Sequence, residues 1–283
     1  MRPGQWPKNL IAVPLAAVGS ASWSPGMLID VGRAVVVFTL AAALVYLFND
    51  VHDRHRDRLH PVKRLRPIAA GTVGMRGAAT LAGVLTLLMA LTMSTAPLPS
   101  WWPVLAYMGV NLAYSRGLKH ISLLDAFLVA SGFVLRLFQG YTAIGEHPST
   151  WLSLCVLTAC LLLLLGKRRH ELAVSGADHR PCLSGYSMPL LDQLLVLAAA
   201  LTAVSYLLYL EHDLRLASGA TALATLSVPC VLFGLARYLQ VLMVERGGGN
   251  PMSTLFRDRA TLANLTVWTG LFGTALALTH TIA

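Results

Sequence analysis

Asn49, Asp53 and Asp57 stand four residues apart, and Asp50 stands three before Asp53. On a helix, positions i, i+4 and i+8 share one face, so this spacing predicts a stripe of oxygen-bearing side chains that Asp50 joins. Carboxylates gathered on one face repel one another unless a cation sits among them. Oxygen donors select a hard ion, and Mg2+ takes one or two carboxylates together with substrate phosphate oxygens. The predicted chemistry is a Mg2+–diphosphate site with Asp50, Asp53 and Asp57 at its centre. Lys63, Arg64 and Arg66 follow closely and are the partners that phosphates need beside the metal. A second reading stays open, in which Asp50 pairs with Arg54 and the stretch is an ordinary solvated helix end. His52, His55 and His60 receive no catalytic role, because the richness in carboxylates argues against a soft-metal site.

The elements that must position these side chains are greasy. Of 283 residues, 55% are hydrophobic and 12% charged, with a mean hydropathy of +0.62. That is too little charge to coat a soluble domain, and apolar runs of about 20 residues recur that would span a bilayer as helices. An all-α integral membrane protein is predicted, with nine spans at about 9–23, 31–49, 74–96, 101–115, 121–143, 150–166, 189–210, 218–243 and 261–281. These form a single polytopic domain over 1–283. Loops at about 50–73, 115–121, 167–188 and 244–260 carry the site. Cys155, Cys160, Cys182 and Cys230 show neither a CxxC pair nor metal-ligand spacing and are expected to be free thiols. No cleavable signal peptide is read at the start.

The net charge of +9 is unevenly placed. All the Lys and Arg except Arg33, Arg136, Arg215 and Arg237 fall in the tail and in alternate loops. By the positive-inside rule this puts the N-terminus and the Asp-rich loop in the cytoplasm and the C-terminus outside, in a multi-pass protein of the plasma (inner) membrane. The basic residues meet phosphates and anionic headgroups rather than nucleic acid. Arg136 lies mid-span, where an ionisable group is costly and usually functional. It is expected to face an internal cavity and pair with an acid or a phosphate.

The stretch "YLFNDVHDRHRDRLHPVKRLRPIAAG" resembles the first Asp-rich motif of the UbiA superfamily of intramembrane prenyltransferases. Four further segments are similar to one branch of it, the polyprenyl-phosphate (decaprenyl-phosphate) phosphoribosyltransferases. They are "RPGQWPKN" at 2–9, "YSRGLKHISLLD" at 114–125, "GKRRHEL" at 166–172 and "ARYLQVLMVERGGGNPMSTLFRDRATL" at 236–262. The resemblance covers nearly the whole chain and implies a UbiA-type helical bundle around a cavity open to the cytoplasmic face. It implies Mg2+ held by Asn49, Asp50, Asp53 and Asp57, with Lys63, Arg64 and Arg66 on the donor's phosphates. Lys8, Lys119 beside Tyr114, Lys167 and Arg168 are then further phosphate contacts, the lipid phosphate included. Asp125 would orient Lys119 or a ribose hydroxyl, and Glu171 would reach the ribose.

Aromatic-acceptor members of the superfamily carry a second Asp-rich motif. Here the loop after the fourth span reads Tyr114-Ser115-Arg116-Gly117-Leu118-Lys119-His120, with only Asp125 beyond it. Two cations and one acid suit an anion better than a second Mg2+. The resemblance therefore implies transfer of phosphoribose from 5-phosphoribose 1-diphosphate to a polyprenyl monophosphate. Two alternatives remain: a prenyltransferase moving a polyprenyl group from its diphosphate to an aromatic acceptor, and a non-catalytic lipid-phosphate carrier. A carrier would more typically show inverted repeats and helices broken at the midplane, and neither is visible. The sequence is compatible with a homo-oligomer but does not set its order or the prenyl chain length.

Overall fold

The computed structural model describes residues 24–59, 63–176, 181–214, 218–245 and 258–282, and these residues are helical with short 3-10 turns and no strand. The first helix, α1 (Pro25–His52), begins where the Ser24 hydroxyl accepts a hydrogen bond from Met27 N at 3.1 Å, with Pro25 supplying the preset φ of a first-turn residue. A break at Asp53 separates α1 from α2 (Arg54–Leu59). There follow α3 (Met75–Met93), α4 (Trp102–Arg116), α5 (Leu124–Ala143), α6 (Thr150–Ser175), α7 (Met188–Leu208), α8 (Ser218–Leu226), α9 (Val228–Met243) and α10 (Arg259–Ile282). Ser149 and Ser187 cap α6 and α7 as Ser24 caps α1, and α7 runs on into a π turn, Tyr209–Asp213.

Seven spans are long and apolar enough to cross a membrane: α1, α3, α5, α6 to Val174, α7 with its π turn, Ala220–Met243, and α10 to Thr279. They make the chain an all-α multi-pass membrane protein. The predicted span at 9–23 lies outside the described residues. The predicted fourth span is α4, whose 15 residues reach only about 22 Å. Residues 167–175, expected in a loop, instead continue α6. Nothing breaks the helix before Gly176, which ends it at φ 69° with its N–H on Leu172 O.

Two compact units divide the chain, and α5 contributes residues to both, through Val134 to the second and from Leu135 to the first. In the first unit (Trp23–Arg116 and Leu135–His147), Ala34, Val37, Phe38, Ala41, Ala42 and Val45 form one buried stripe of α1 against Met89, Trp101, Val104 and Tyr107. In the second (Gly117–Val134 and Pro148 onward), α6 and α7 pack through Leu161, Leu162, Leu165, Leu191 and Leu195, tied by Thr202 Oγ1 to Thr158 Oγ1 at 2.9 Å. Gly166 permits a close approach: a Cβ there would stand 2.5 Å from Tyr238 Oη of α9. Apolar side chains such as Leu87, Leu91, Leu197 and Val267 point outward, as a lipid-facing surface requires.

Candidate active site

The Asp-rich motif sits in the first unit, on the end of α1. Asp53 N donates to Asn49 O at 2.8 Å and Asp57 N to Asp53 O at 2.9 Å, so the i, i+4 register runs through the break between α1 and α2. Helical spacing thus links the three positions although Asp53 itself is in a turn (φ −86°, ψ 3°). The chain then folds back over the motif. Arg58 Nε holds Ala69 O at 3.0 Å, and Ile68 and Ala69 are buried. This fold-back carries Arg66 to the carboxylates: one guanidinium nitrogen, Nη1, lies 2.6 Å from Asp57 Oδ2 and 3.3 Å from Asp50 Oδ1. Asp57 is only 4% exposed, whereas Lys63 and Arg64 are exposed. Arg54 Nε reaches His55 Nε2 at 3.0 Å.

Asn49 is held from α4. Ser115 Oγ lies 2.5 Å from Asn49 Oδ1 and 2.8 Å from Asn111 O, its single proton serving one acceptor at a time. Sequence reasoning missed Ser115, whose partner lies 66 positions away. Beside Asn49, an apolar cavity of about 640 Å3 opens between α1, α3 and α4, walled by residues such as Leu44, Phe48, Ala78, Ala82 and Met108. Asn49 and Asn111 are polar groups on its wall.

The motif's oxygens fit Mg2+ that arrives with phosphate better than Mg2+ alone. Among the described residues no group of three or more His, Cys, Asp or Glu is gathered into a metal cage. Two carboxylates do share one cationic nitrogen, which stands where a divalent ion would neutralise them. Mg2+ commonly takes that few protein carboxylates and completes its shell with phosphate and water.

The second unit holds a different cluster. Asp125, at 0% exposure, accepts from Arg168 Nε at 2.7 Å and from Tyr186 Oη at 2.9 Å, with Cys182 Sγ at 3.6 Å. Arg168 also pairs with Glu171, and Lys167 Nζ lies 3.8 Å from the other Glu171 oxygen. Tyr186 Oη in turn accepts from Leu123 N at 2.8 Å, fixing a non-glycine residue at φ 65° at the entry to α5. Burial, and then the Asp125 charge, push the Tyr186 phenol above its usual range, so it stays a donor. These contacts place three of the expected site residues together. Arg168 is 3% exposed and lies in ion pairs with Asp125 and Glu171. Burial dictates this, since a charge removed from water must be paired within the protein.

Arg136 is 5% exposed, donates from Nη2 to Tyr107 Oη at 3.2 Å, and lies over the Tyr107 and Phe38 rings at 4.8 and 5.1 Å. An aromatic slot stabilises a guanidinium in a dry core. Phe38 precedes Asn49 by about 16 Å of helix rise, which keeps Arg136 away from the Asp-rich motif. Tyr114 lies in the last turn of α4 and Lys119 in the 3-10 turn Leu118–His120, both half-buried. Lys8 lies outside the described residues. Cys155, Cys160, Cys182 and Cys230 form no disulfide among the described residues.

Comparison with known proteins speaks for the family and the fold. The model of the UbiA prenyltransferase family matches residues 10–242. A decaprenyl-phosphate phosphoribosyltransferase of Mycolicibacterium smegmatis is 34% identical, over 98% of this chain and 91% of its own. The protein of that name from Mycobacterium tuberculosis is 35% identical over 98% and 93%. Among solved structures, a UbiA homologue from Archaeoglobus fulgidus bound to GPP and Mg2+ superposes with a TM-score of 0.69, covering 98% of this chain and 97% of its own at 14% identity. That last likeness speaks for the fold.

Proposed function

The chain belongs to the UbiA prenyltransferase family, and from that premise we propose that it transfers 5-phosphoribose from 5-phosphoribose 1-diphosphate to a polyprenyl, decaprenyl-like, monophosphate and releases diphosphate. The relatives named for that activity support the reading across nearly the full chain. The observation that carries it is the asymmetry of the acids. Asp50 and Asp57 meet the part-exposed Arg66 at the Asp-rich motif, whereas Asp125 and Glu171 meet the buried Arg168. One acidic cradle suits one Mg2+–diphosphate, the sugar donor's, and leaves the lipid to enter as a monophosphate.

Asn49, Asp50, Asp53 and Asp57 hold the metal in this reading, and Mg2+ supplies neutralisation of the diphosphate. Arg66, Lys63 and Arg64 bind the donor's phosphates, and Lys119 and Lys167 contact the lipid phosphate. No side chain has to become a nucleophile. A lipid phosphate oxygen forms the new bond to the ribose anomeric carbon as the bond to diphosphate breaks, and the leaving group departs with the electron pair. The protein's work is alignment and stabilisation of charge on the leaving group. The apolar cavity beside Asn49 takes the isoprenoid next to the reacting phosphate. The site faces the cytoplasm, with the N-terminus inside, on the distribution of Lys and Arg.

Purified protein with Mg2+, labelled 5-phosphoribose 1-diphosphate and a polyprenyl monophosphate should yield a labelled lipid, and Asp53→Asn should abolish it without unfolding the chain. Turnover of a polyprenyl diphosphate with an aromatic acid instead would overturn the reading.

A further inference from the structure

We propose that Arg66 is an exchangeable counter-cation that makes Mg2+ and diphosphate bind together rather than in sequence. The inference rests on the functional reading above. Arg66 Nη1 bonds Asp57 at 2.6 Å and Asp50 at 3.3 Å, so the position between these carboxylates cannot hold that nitrogen and a metal ion at once. Asp57 is nearly removed from water, with 5% of its side chain exposed, and Asp50 shows 17%. Two acids in so dry a place need a cation at all times, and before substrate arrives Arg66 is a cation that both of them meet.

The geometry of Arg66 suits an exchange. Its backbone is pinned: its N–H donates to Lys63 O at 3.0 Å, and its carbonyl accepts from Ala70 N at 2.7 Å. Its side chain is 27% exposed, the most open of the three groups, so the guanidinium can swing on a fixed root. A metal entering alone must displace a charge-assisted bond and leave the arginine without that partner. A metal entering with diphosphate brings the partner along, because a guanidinium fork pairs bidentately with phosphate oxygens. Arg66 thus opposes metal and favours metal–diphosphate. Lysine, a point charge without the fork, would do the first task better than the second.

The test uses the full chain with two probes: Mn2+ alone, followed by electron paramagnetic resonance, and radiolabelled inorganic diphosphate in the presence of Mg2+. Arg66→Gln should bind Mn2+ about tenfold more tightly than the unsubstituted protein, while its Mg2+-dependent affinity for diphosphate falls about tenfold, each the size of one charge-assisted bond. The opposite signs are the signature, since a merely structural loss would weaken both. Arg66→Lys should keep the weak Mn2+ binding and still lose diphosphate affinity, and thermal melts of both variants establish that they fold. If the unsubstituted protein binds both probes but Arg66→Gln leaves Mn2+ affinity unchanged or lowers it, the exchange is refuted and the functional reading stands. If the unsubstituted protein binds neither probe, the metal site fails and the exchange fails with it.

Discussion

Asn49 is a residue of the motif that is held from another helix. Ser115 reaches it from α4 at 2.5 Å, while Asp50 and Asp57 are held by Arg66 from their own fold-back. Replacing Ser115 by Ala removes the hydroxyl but no charge and little volume. The donor's KM should then rise about fivefold with kcat little changed, the effect of losing roughly 1 kcal/mol of positioning. Steady-state kinetics with varied donor checks this, and a fall in kcat with KM constant would show Ser115 acting on the chemical step instead. The acids of this motif were legible because helical spacing is written in the sequence itself. Ser115 was not, because its partner is distant in sequence and a serine in an apolar span carries no spacing signal.

At the scale of elements, buried ion pairs decide what the second unit tolerates. The entry of α5, the middle of α6 and the 3-10 turn Pro181–Gly185 with Tyr186 converge on Asp125 and Arg168. Asp125→Ala leaves the guanidinium of Arg168 buried with Glu171 alone, and should destabilise the chain by about 3 kcal/mol. The double variant Asp125→Leu with Arg168→Met removes both charges and should melt well above the single one, because replacing a buried pair costs far less than halving it. Melting in detergent distinguishes the two, and equal losses would show that packing rather than charge holds the junction. A second tie joins α9 to α10. Asp258 accepts from Arg237 Nη2 at 2.9 Å and Nε at 3.1 Å, and caps α10 through Thr261 N at 2.9 Å. Those bonds, Arg237's first and Thr261's next, hold the Asp258 carboxyl well below the usual carboxylate range. A depressed pKa stabilises fully above the unfolded-state value and is lost as pH falls through the folded one. The drop in Tm caused by Asp258→Asn should therefore be constant from pH 8 to 5 and shrink only below about pH 4. The sequence showed Arg168 and Asp125 as charges in a phosphate-binding pattern. That they neutralise each other is a tertiary fact, produced by α6 continuing through residues 167–175 until Gly176.

For the molecule as a whole, the composition announced membrane helices, and seven spans followed directly from runs of apolar residues. The short α4 is where length alone misleads, and the contacts within the first unit supply its direction. At one end, Ser115 of α4 meets Asn49 at the end of α1. At the other, Asp30 and Arg33 of α1, Thr95 after α3, Ser100 before α4 and Thr142 of α5 border one cavity of about 340 Å3. Asp30 and Asn49 are separated by about 28 Å of helix rise, close to the thickness of the hydrocarbon core. The start of α4 therefore lies with one end of α1 and its finish with the other, so α4 runs alongside that stretch of α1 despite its length. Its 3-10 prelude, Leu98–Trp101, with Trp101 Nε1 bonded to Met93 O at 2.9 Å, extends that reach. In the proposed topology the Asp-rich fold-back is cytoplasmic and the α5–α6 connection lies on the opposite face, on the distribution of Lys and Arg. In a background with the four cysteines replaced, Glu146→Cys, exposed between α5 and α6, should react with a membrane-impermeant maleimide on intact cells. Leu65→Cys, 76% exposed beside Arg66, should react only in inverted membrane vesicles. The reverse pattern would invert the orientation and place the site outside, while labelling of both from one side would mean that the helices joining them do not alternate across the bilayer.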